Sequence, residues 1–253
     1  MRVLVTRPAQ QAADWVRRLR DSGIDAVALA LIGIAPPLDA AAVQAAWHAL
    51  SSQRLVVFVS PNAAEQFMAA RPAGVNWPGA AQAASLGPGT TDALHRLGVP
   101  AAQIVEPAAD AAQFDSEALW QQLSHADWRG ANVLVVRGDG GRDWLADTLR
   151  ERGATVNLLA AYRRTPPRLG EAEQALLNGA LRKPRDHLWF FSSSEAIDNL
   201  AALAGPAADW SQARALTTHP RIAARAQRLG FKHVVEARAT LSAVRACIQS
   251  ITP

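Results

Sequence analysis

Short apolar runs alternate with amphipathic segments along most of the chain. Val3–Thr6 has the pattern of a buried strand, and a helix is predicted from about residue 10 to residue 21, where Trp15 and Leu19 fall on one face. A second apolar run, Ala26–Ile34, predicts the next strand. Strands that alternate with helices in this way are typical of parallel α/β sheets. Further strands are predicted at Leu55–Ser60, Ala84–Leu86, Asn132–Val136, Thr155–Ala160, Leu188–Phe191, Ala215–Thr218 and His233–Val235.

The chain also resembles itself at a period of about half its length. Three segments of the first half recur in the second half in the same order, and self-similarity of this kind indicates duplication. We therefore predict two similar α/β lobes. The matched pairs are Val3–Pro8 with Val133–Gly138, Val57–Phe67 with Trp189–Leu200, and Gly87–Gly98 with His219–Gly230.

Two proline-marked breaks, Ile34–Pro37 and Arg163–Pro167, are the candidate linkers. Proline lacks a backbone donor and favours an extended entry, so both segments suit crossings between lobes. The sequence then predicts a discontinuous lobe one of residues 1–35 and 166–253, with residues 36–165 forming lobe two. The alternative is a simple cut near Gly130, which follows the repeat but has no comparable linker.

Small, hydroxylated or basic residues follow several of the predicted strands. Ligands of parallel α/β sheets bind beyond the carboxyl ends of the strands, and each of these turns opens a helix whose free N–H groups favour anions. Taken singly, each residue is better explained as a helix cap or a turn residue. Six such loops carrying three arginines together predict a polyanion-binding cleft. The candidate binding residues are Arg7, Ser60, Asn62, Gly87, Gly89, Thr90, Arg137, Gly138, Gly141, Ser192, Ser193, Ser194, His219 and Arg221.

Composition narrows the classes of function. The formal net charge is +4 and no block of like charges is present, so a small anion is favoured over nucleic acid. The six histidines form no HxH or HxxxH pair, and the glycine-rich turns lack a dinucleotide or P-loop pattern. The longest apolar run is too short to span a bilayer and no signal peptide is evident, which predicts a cytoplasmic protein. Cys247, the single cysteine, has the spacing of a core residue.

Tyr162 is the single tyrosine and directly precedes the second proline-marked break. Two interpretations remain open on its chemistry. The residue is either an aromatic that packs beside a hinge, which composition alone favours, or a phenol that faces the cleft between the lobes and donates a proton.

The ordered set of segments resembles the uroporphyrinogen-III synthase family over nearly the full length. No single segment identifies the family, but the ordered set does. Its most specific part is the run RGDGGR, followed after a helix by RGA and then by the lone YRR. The residues that carry the resemblance are VLVTRP at Val3–Pro8, FVSPNA at Phe58–Ala63, SLGPGTTDAL at Ser85–Leu94, VLVVRGDGGRDWLADTLRERGATV at Val133–Val156, YRR at Tyr162–Arg164, FFSSSEAIDNL at Phe190–Leu200 and THPRIAARAQRLGF at Thr218–Phe231.

This resemblance implies two flavodoxin-like lobes with parallel sheets, joined by a two-stranded linker, with the second lobe inserted in the first. It implies hydroxymethylbilane, a polycarboxylate, as substrate, and an enzyme that needs neither cofactor nor metal. We expect the protein to be a monomer that binds neither nucleic acid nor a membrane. By matching position it makes Tyr162 the residue that assists departure of the substrate hydroxyl, with Arg7, Arg137 and Arg221 as partners for carboxylates. One departure is His219-Pro220-Arg221, which stands where the first half has Gly87-Pro88-Gly89.

Two other functions compete with a cyclising synthase. A non-catalytic two-lobed protein that closes on a small anion would need the same polar loops. A synthase-like domain recruited for regulation or DNA binding is the weaker alternative, because no helix-turn-helix or basic arm is evident.

Overall fold

The computed structural model describes residues 1–251. The strands are β1 (Arg2–Val5), β2 (Ala26–Ala28), β3 (Gly33–Ala35), β4 (Leu55–Phe58), β5 (Gln82–Ser85), β6 (Ile104–Val105), β7 (Asn132–Gly138), β8 (Thr155–Thr165), β9 (His187–Phe191), β10 (Arg214–Thr217) and β11 (His233–Glu236). The α-helices are α1 (Ala9–Arg20), α2 (Ala40–His48), α3 (Pro61–Ala69), α4 (Pro88–Arg96), α5 (Ser116–Leu123), α6 (Trp144–Glu151), α7 (Glu171–Arg182), α8 (Ser194–Ala204), α9 (Pro220–Leu229) and α10 (Leu241–Ile251).

The chain forms two compact units. Unit 1 consists of Met1–Ile34 and the chain from Thr165 onward, and unit 2 consists of Ala35–Arg164. The chain therefore leaves unit 1 once, after β2, and returns once, at the end of β8. The two crossing segments are neighbours in the sheet order, where β3 lies beside β8.

The sheet of unit 1 has the strand order β11-β10-β9-β1-β2, and its strand pairs are parallel. Numbered along unit 1 alone, this order is 2-1-3-4-5, which is the flavodoxin-like order. The chain passes from β1 to β2 on one side and later adds β9 on the other side of β1. The crevice at the carboxyl ends of β1 and β9 is therefore the topological switch point, where ligands of such sheets bind.

Side-chain alternation in β1 explains why helices cover both faces of this sheet. Val3 and Val5 belong to one core with Val16 and Leu19 of α1 and with α10, whereas Leu4 belongs to the opposite core with α8 and α9. Successive side chains of a strand point to opposite faces, so an apolar run is buried on both sides. The predicted α/β class with parallel sheets is confirmed.

The six-stranded sheet that includes the strands of unit 2 has the order β3-β8-β7-β4-β5-β6. Without β3, the order β8-β7-β4-β5-β6 corresponds strand by strand to the order β2-β1-β9-β10-β11 in unit 1. The matched segments of the sequence repeat take equivalent places in the two sheets, with β7 at the position of β1 and β4 at the position of β9. The switch point of unit 2 therefore lies at the carboxyl ends of β4 and β7.

Unit 2 also buries both faces of its sheet. One face of β4 and β7 packs against α5 and α6 through aliphatic side chains such as Leu119 and Leu149. On the other face Phe58 meets Phe67 and Trp77, with ring centroids 5.7 and 6.0 Å apart. Aromatic pairs at such separations stabilise the fold by more than the burial of their apolar area alone.

Three differences from the predicted elements exceed a shift of two residues at one end or concern a whole strand. The run Ala26–Ile34 forms two strands, because its pairing with β1 ends at Ala28 and the chain then leaves toward β8. Strand β8 continues five residues past its predicted end at Ala160, to Thr165. Strand β6 was not predicted, since it has only two residues and no alternation to reveal it.

Candidate functional site

The candidate binding residues follow the carboxyl ends of parallel strands in both units. Arg7 follows β1, and Ser60 follows β4 across a single residue. Because neighbouring strands are parallel, these loops lie along one edge of each sheet. Unit 1 holds Arg7, Ser192, Ser193, Ser194, His219 and Arg221, whereas unit 2 holds Ser60, Asn62, Gly87, Gly89, Thr90, Arg137, Gly138, Gly141 and Tyr162.

Tyr162 is completely buried, and its hydroxyl lies 3.1 Å from Oγ of Ser60. Ser60 is also the N-cap of α3, where its Oγ accepts the N–H of Ala63 at 3.1 Å. The only phenol of the chain is therefore hydrogen-bonded at the switch point of unit 2. The phenol to which one interpretation of the sequence gives a proton-donor role is therefore enclosed by neighbouring groups.

A β-bulge aims Tyr162 at this position. In the ladder between β7 and β8, Arg137 pairs with Ala160 and Gly138 pairs with Tyr162, so Ala161 is the extra residue. A bulge breaks the alternation of side chains, and Ala161 and Tyr162 are consequently both buried.

Gly138 makes room for the tyrosine ring. A Cβ atom on Gly138 would lie 3.0 Å from Cζ and 3.3 Å from the hydroxyl oxygen of Tyr162. Contacts this short force a shift of the ring or of the strand. Gly87 has a comparable reason to be glycine, since its Cβ would lie 2.8 Å from Cβ of Phe114.

Three of the candidate residues act as helix caps. Besides Ser60, Ser193 caps α8 by accepting the N–H of Glu195 at 3.2 Å, and His219 caps α9 by accepting the N–H of Arg221 at Nδ1, at 3.1 Å. The capping role that the sequence left open is therefore present for these residues. A neutral His219 that accepts at Nδ1 carries its proton on Nε2.

Arg137 of unit 2 is neutralised within its own loop. Its guanidinium forms an ion pair with Asp143, and the Arg137 side chain is only 11% exposed. The neighbouring Arg142 binds both carboxylate oxygens of Glu117 on α5, at 2.6 and 3.0 Å. The loop after β7 is thus stabilised by carboxylates of the same unit, and Asp139 adds a further contact by accepting the N–H of Arg164 at 3.3 Å.

Arg7 has a different environment at the equivalent position of unit 1. Its guanidinium lies 4.7 Å from the ring centroid of Trp15 and 5.6 Å from that of Phe190. Its Nε atom is buried and has no hydrogen-bond partner among residues 1–251. Burial lowers the pKa of Arg7 to about 10, which still leaves the side chain charged near neutral pH.

Near α4 the structure contains a buried chain of hydrogen-bonded hydroxyl groups whose residues were not predicted from the sequence. Oγ1 of Thr91 lies 2.7 Å from Oγ of Ser85 and donates to the carboxylate of Glu106 at 2.6 Å. Since Thr91 has one proton and gives it to Glu106, Ser85 is the donor to Thr91. In the sequence the available signal was a serine inside the predicted strand Ala84–Leu86, and a single serine there is ordinary.

Within residues 1–251 no group of three His, Cys, Asp or Glu side chains is arranged to hold a metal ion. None of the helices between residues 1 and 251 combines the length and apolar character of a membrane span. Cys247 is partly buried beside the core that contains Val244 and Ile248, and burial raises the pKa of its thiol.

Comparison with solved structures identifies the same architecture elsewhere. A uroporphyrinogen III synthase from Thermus thermophilus matches with a TM-score of 0.58 at 17% identity, covering 99% of this chain and 98% of that one. A uroporphyrinogen-III synthetase from Helicobacter pylori 26695 gives a TM-score of 0.58 at 15% identity, with both chains fully covered. At such identities the likeness concerns the fold alone.

Sequence comparison goes further. The family model described as Uroporphyrinogen-III synthase HemD matches residues 13–245. The chain is 32% identical over 177 residues to a uroporphyrinogen-III synthase of Salmonella typhimurium strain LT2, covering 70% of each protein. It is 30% identical over 184 residues to one of Escherichia coli strain K12, again covering 70% of each. The chain therefore belongs to the uroporphyrinogen-III synthase family, a family of enzymes.

Proposed function

We propose that this chain converts hydroxymethylbilane into uroporphyrinogen III and acts as a lyase that eliminates water. Family membership over residues 13–245 is the observation that carries the proposal. The fold supports it, because polar loops follow the carboxyl ends of parallel strands in both units, the usual place for a ligand in such sheets.

The proposed reaction begins with loss of the terminal hydroxyl of the linear tetrapyrrole. The C–O bond breaks, the pyrrole nitrogen supplies the electron pair, and the hydroxyl leaves as water after it takes a proton. The pyrrole N–H gives up its proton as the azafulvene forms, and the substituted α-carbon of the last pyrrole attacks the azafulvene methylene to give a spiro intermediate. The bond from that α-carbon to the preceding methylene then breaks. The freed methylene bonds to the other α-carbon of the last pyrrole, which loses its proton, so that the ring closes with this pyrrole reversed. Since the substrate also closes unaided to the isomer without reversal, the enzyme contributes mainly by holding one folded conformer.

Holding a flexible polycarboxylate requires anion-binding groups spread over a broad surface. We assign this role to the loops at the carboxyl edge of each sheet, where helix N-termini favour anions. The residues assigned to binding are Arg7, Ser60, Asn62, Gly87, Gly89, Thr90, Arg137, Gly138, Gly141, Ser192, Ser193, Ser194, His219 and Arg221.

Tyr162 is the group that we assign to departure of the hydroxyl. Ser60 accepts the N–H of Ala63, and in the reactive arrangement its own proton points to the phenolic oxygen. The phenolic proton is then available for the leaving hydroxyl, and the Ser60 hydroxyl stabilises the charge left on the phenolic oxygen. Because Tyr162 is buried, the substrate must displace neighbouring groups to reach it, which is consistent with a modest catalytic contribution.

We further propose that the protein works as a cytoplasmic monomer without a cofactor or metal. Its mixed surface charge, with a net charge of +4, suits a small anionic substrate and does not require a membrane or a nucleic acid. Size-exclusion chromatography with light scattering tests the monomer, and a dimer mass at micromolar protein would refute it.

The experiment for the function supplies freshly generated hydroxymethylbilane to the purified protein, then oxidises and separates the uroporphyrin isomers. We expect predominantly the type III isomer. Formation of the type I isomer alone, with the protein folded, would contradict the proposal and would favour a non-catalytic anion-binding protein.

A further inference from the structure

The two switch points carry equivalent arginines in different electrostatic states. Arg7 and Arg137 occupy the same position of the sequence repeat. Arg7 follows β1 after one residue, and Arg137 is the next-to-last residue of β7. Arg137 is paired with Asp143. By contrast, among residues 1–251 no carboxylate forms an ion pair with Arg7, and no charged group contributes to its pKa.

Arg7 is partly buried as a residue and its Nε is inaccessible, and a guanidinium in this state is costly to the free protein. Removing a cation from water carries a large penalty, which a nearby carboxylate normally offsets. The rings of Trp15 and Phe190, 5.0 Å apart and tilted by 59°, offset part of it by cation–π attraction. These rings also fix the position of the guanidinium, so little side-chain freedom remains to be lost when an anion binds.

The location of Arg7 is that of a ligand site. It lies at the carboxyl ends of β1 and β9, the topological switch point of unit 1, and its guanidinium stands over a residue of each neighbouring element, Trp15 on α1 and Phe190 in β9. At the corresponding edge of unit 2 the chain supplies carboxylates of its own, since Asp143 pairs with Arg137 and Glu106 accepts from Thr91.

We propose that Arg7 anchors a preformed site for one carboxylate group at the switch point of unit 1. The planar guanidinium binds a carboxylate through charge-assisted hydrogen bonds, which are stronger than those between neutral groups. The assignment of this carboxylate to the tetrapyrrole rests on the proposed function, whereas the binding of a free carboxylate does not.

The test measures thermal unfolding in sodium propionate and in sodium chloride at equal ionic strength. A ligand that binds only the folded state raises the unfolding midpoint. We expect propionate to raise the midpoint above its value in chloride for the wild-type protein, and this difference to disappear in Arg7→Met. Arg7→Lys, which keeps the positive charge, should retain part of the difference.

Arg54→Met is the matched control. Arg54 also stacks on a tryptophan, Trp128 at 4.8 Å, but it precedes β4 and donates to the backbone oxygen of Asp127. Its replacement should leave the propionate response unchanged. A response of equal size in Arg7→Met and the wild type, or none in the wild type, would overturn the proposal.

The free protein gives a second readout that needs no ligand. Methionine keeps an apolar stem against the two rings and removes the buried charge, so the Arg7→Met protein in chloride should unfold at a midpoint no lower than that of the wild type. A clearly lower midpoint would mean that the guanidinium is a stabilising contact of the fold, which would overturn the site.

Kinetics then separates this site from the proposed function. In the isomer assay we expect Arg7→Met to raise KM by roughly tenfold to a hundredfold, the range of one charge-assisted hydrogen bond, with a smaller change in kcat. A propionate response without type III product would leave the site and refute the proposed activity. Type III product with an unchanged KM in Arg7→Met would leave the activity and refute the site.

Discussion

The hydroxyl groups of Ser60 and Tyr162 lie 3.1 Å apart, although 102 residues separate them along the chain. Ser60 follows β4 and Tyr162 lies in β8, and β7 stands between these two strands in the sheet. The contact forms across β7 because a bulge turns Tyr162 inward and Gly138 on β7 leaves space for its ring. The phenol, its hydrogen-bond partner and the space that its ring needs thus come from three neighbouring strands or their ends.

Replacement of the phenolic hydroxyl tests its part in the reaction. Tyr162→Phe removes one hydrogen bond while Ser60 keeps the N–H of Ala63, so the free energy of unfolding should fall by only about 1 kcal/mol. Turnover of hydroxymethylbilane should fall roughly tenfold, less than for a typical general acid, because the substrate also reacts unaided. Unchanged turnover in a folded Tyr162→Phe protein would remove the hydroxyl from the mechanism.

The space beside Tyr162 can be tested by filling it. Gly138→Ala places a Cβ 3.0 Å from the ring, which should lower the free energy of unfolding by about 1–3 kcal/mol and reduce turnover together with it. Gly140→Ala, in the loop that follows β7, is the matched control, since its Cβ would meet nothing within 4 Å among the described residues. Urea unfolding of both variants checks this, and equal stabilities would argue against the steric role of Gly138.

The ion pair between Arg137 and Asp143 can be removed to test whether it is what distinguishes Arg137 from Arg7. Asp143→Asn removes the negative charge that neutralises Arg137, whose side chain is only 11% exposed. We expect a loss of at most about 1 kcal/mol in stability, because Asp143 is half-exposed. The same variant should gain a second response to propionate, seen most clearly when Arg7→Met is combined with it. If the double variant shows no response to propionate, the two positions are not equivalent in anion binding.

Cys247 provides a pH-dependent test of the core of unit 1. Burial raises the pKa of its thiol, so the folded state holds the proton more tightly than the unfolded state does. The resulting stability is present below the pKa of the unfolded thiol and is lost as the pH rises above it. The rate of reaction with a disulfide reagent should therefore increase at a higher pH than for an unfolded control peptide.

The Cys247→Ala variant is the control for this measurement. It should not react with the disulfide reagent, since the chain contains one cysteine. Turnover of this variant should equal that of the wild type, as expected for a residue that packs beside Val244 and Ile248. Loss of activity with unchanged stability would instead give the thiol a functional role.

The strands and helices could be predicted largely from local pattern. Val3–Val5 and Leu55–Phe58 are continuous apolar runs because their sheets are buried on both faces, and this leaves a signal in any short window of sequence. Tyr162 could also be singled out, as the sole tyrosine next to a proline-marked break. The hydrogen bond between Tyr162 and Ser60 could not be predicted, because it depends on the bulge in β8. A bulge follows from the register between two strands and has no local signature in the sequence.

By itself, the sequence determined the α/β class, the repeat and the family, because strand burial, duplication and ordered motifs are all written in residue order. Only the tertiary structure decided that two arginines at equivalent repeat positions, Arg7 and Arg137, have different electrostatic states. Each follows a Val-Leu-Val run after one further residue, yet Asp143 neutralises Arg137 whereas Arg7 stacks on Trp15 and Phe190. The physical reason is that the energy of a charge depends on burial and on the nearest opposite charge, which are properties of three-dimensional packing.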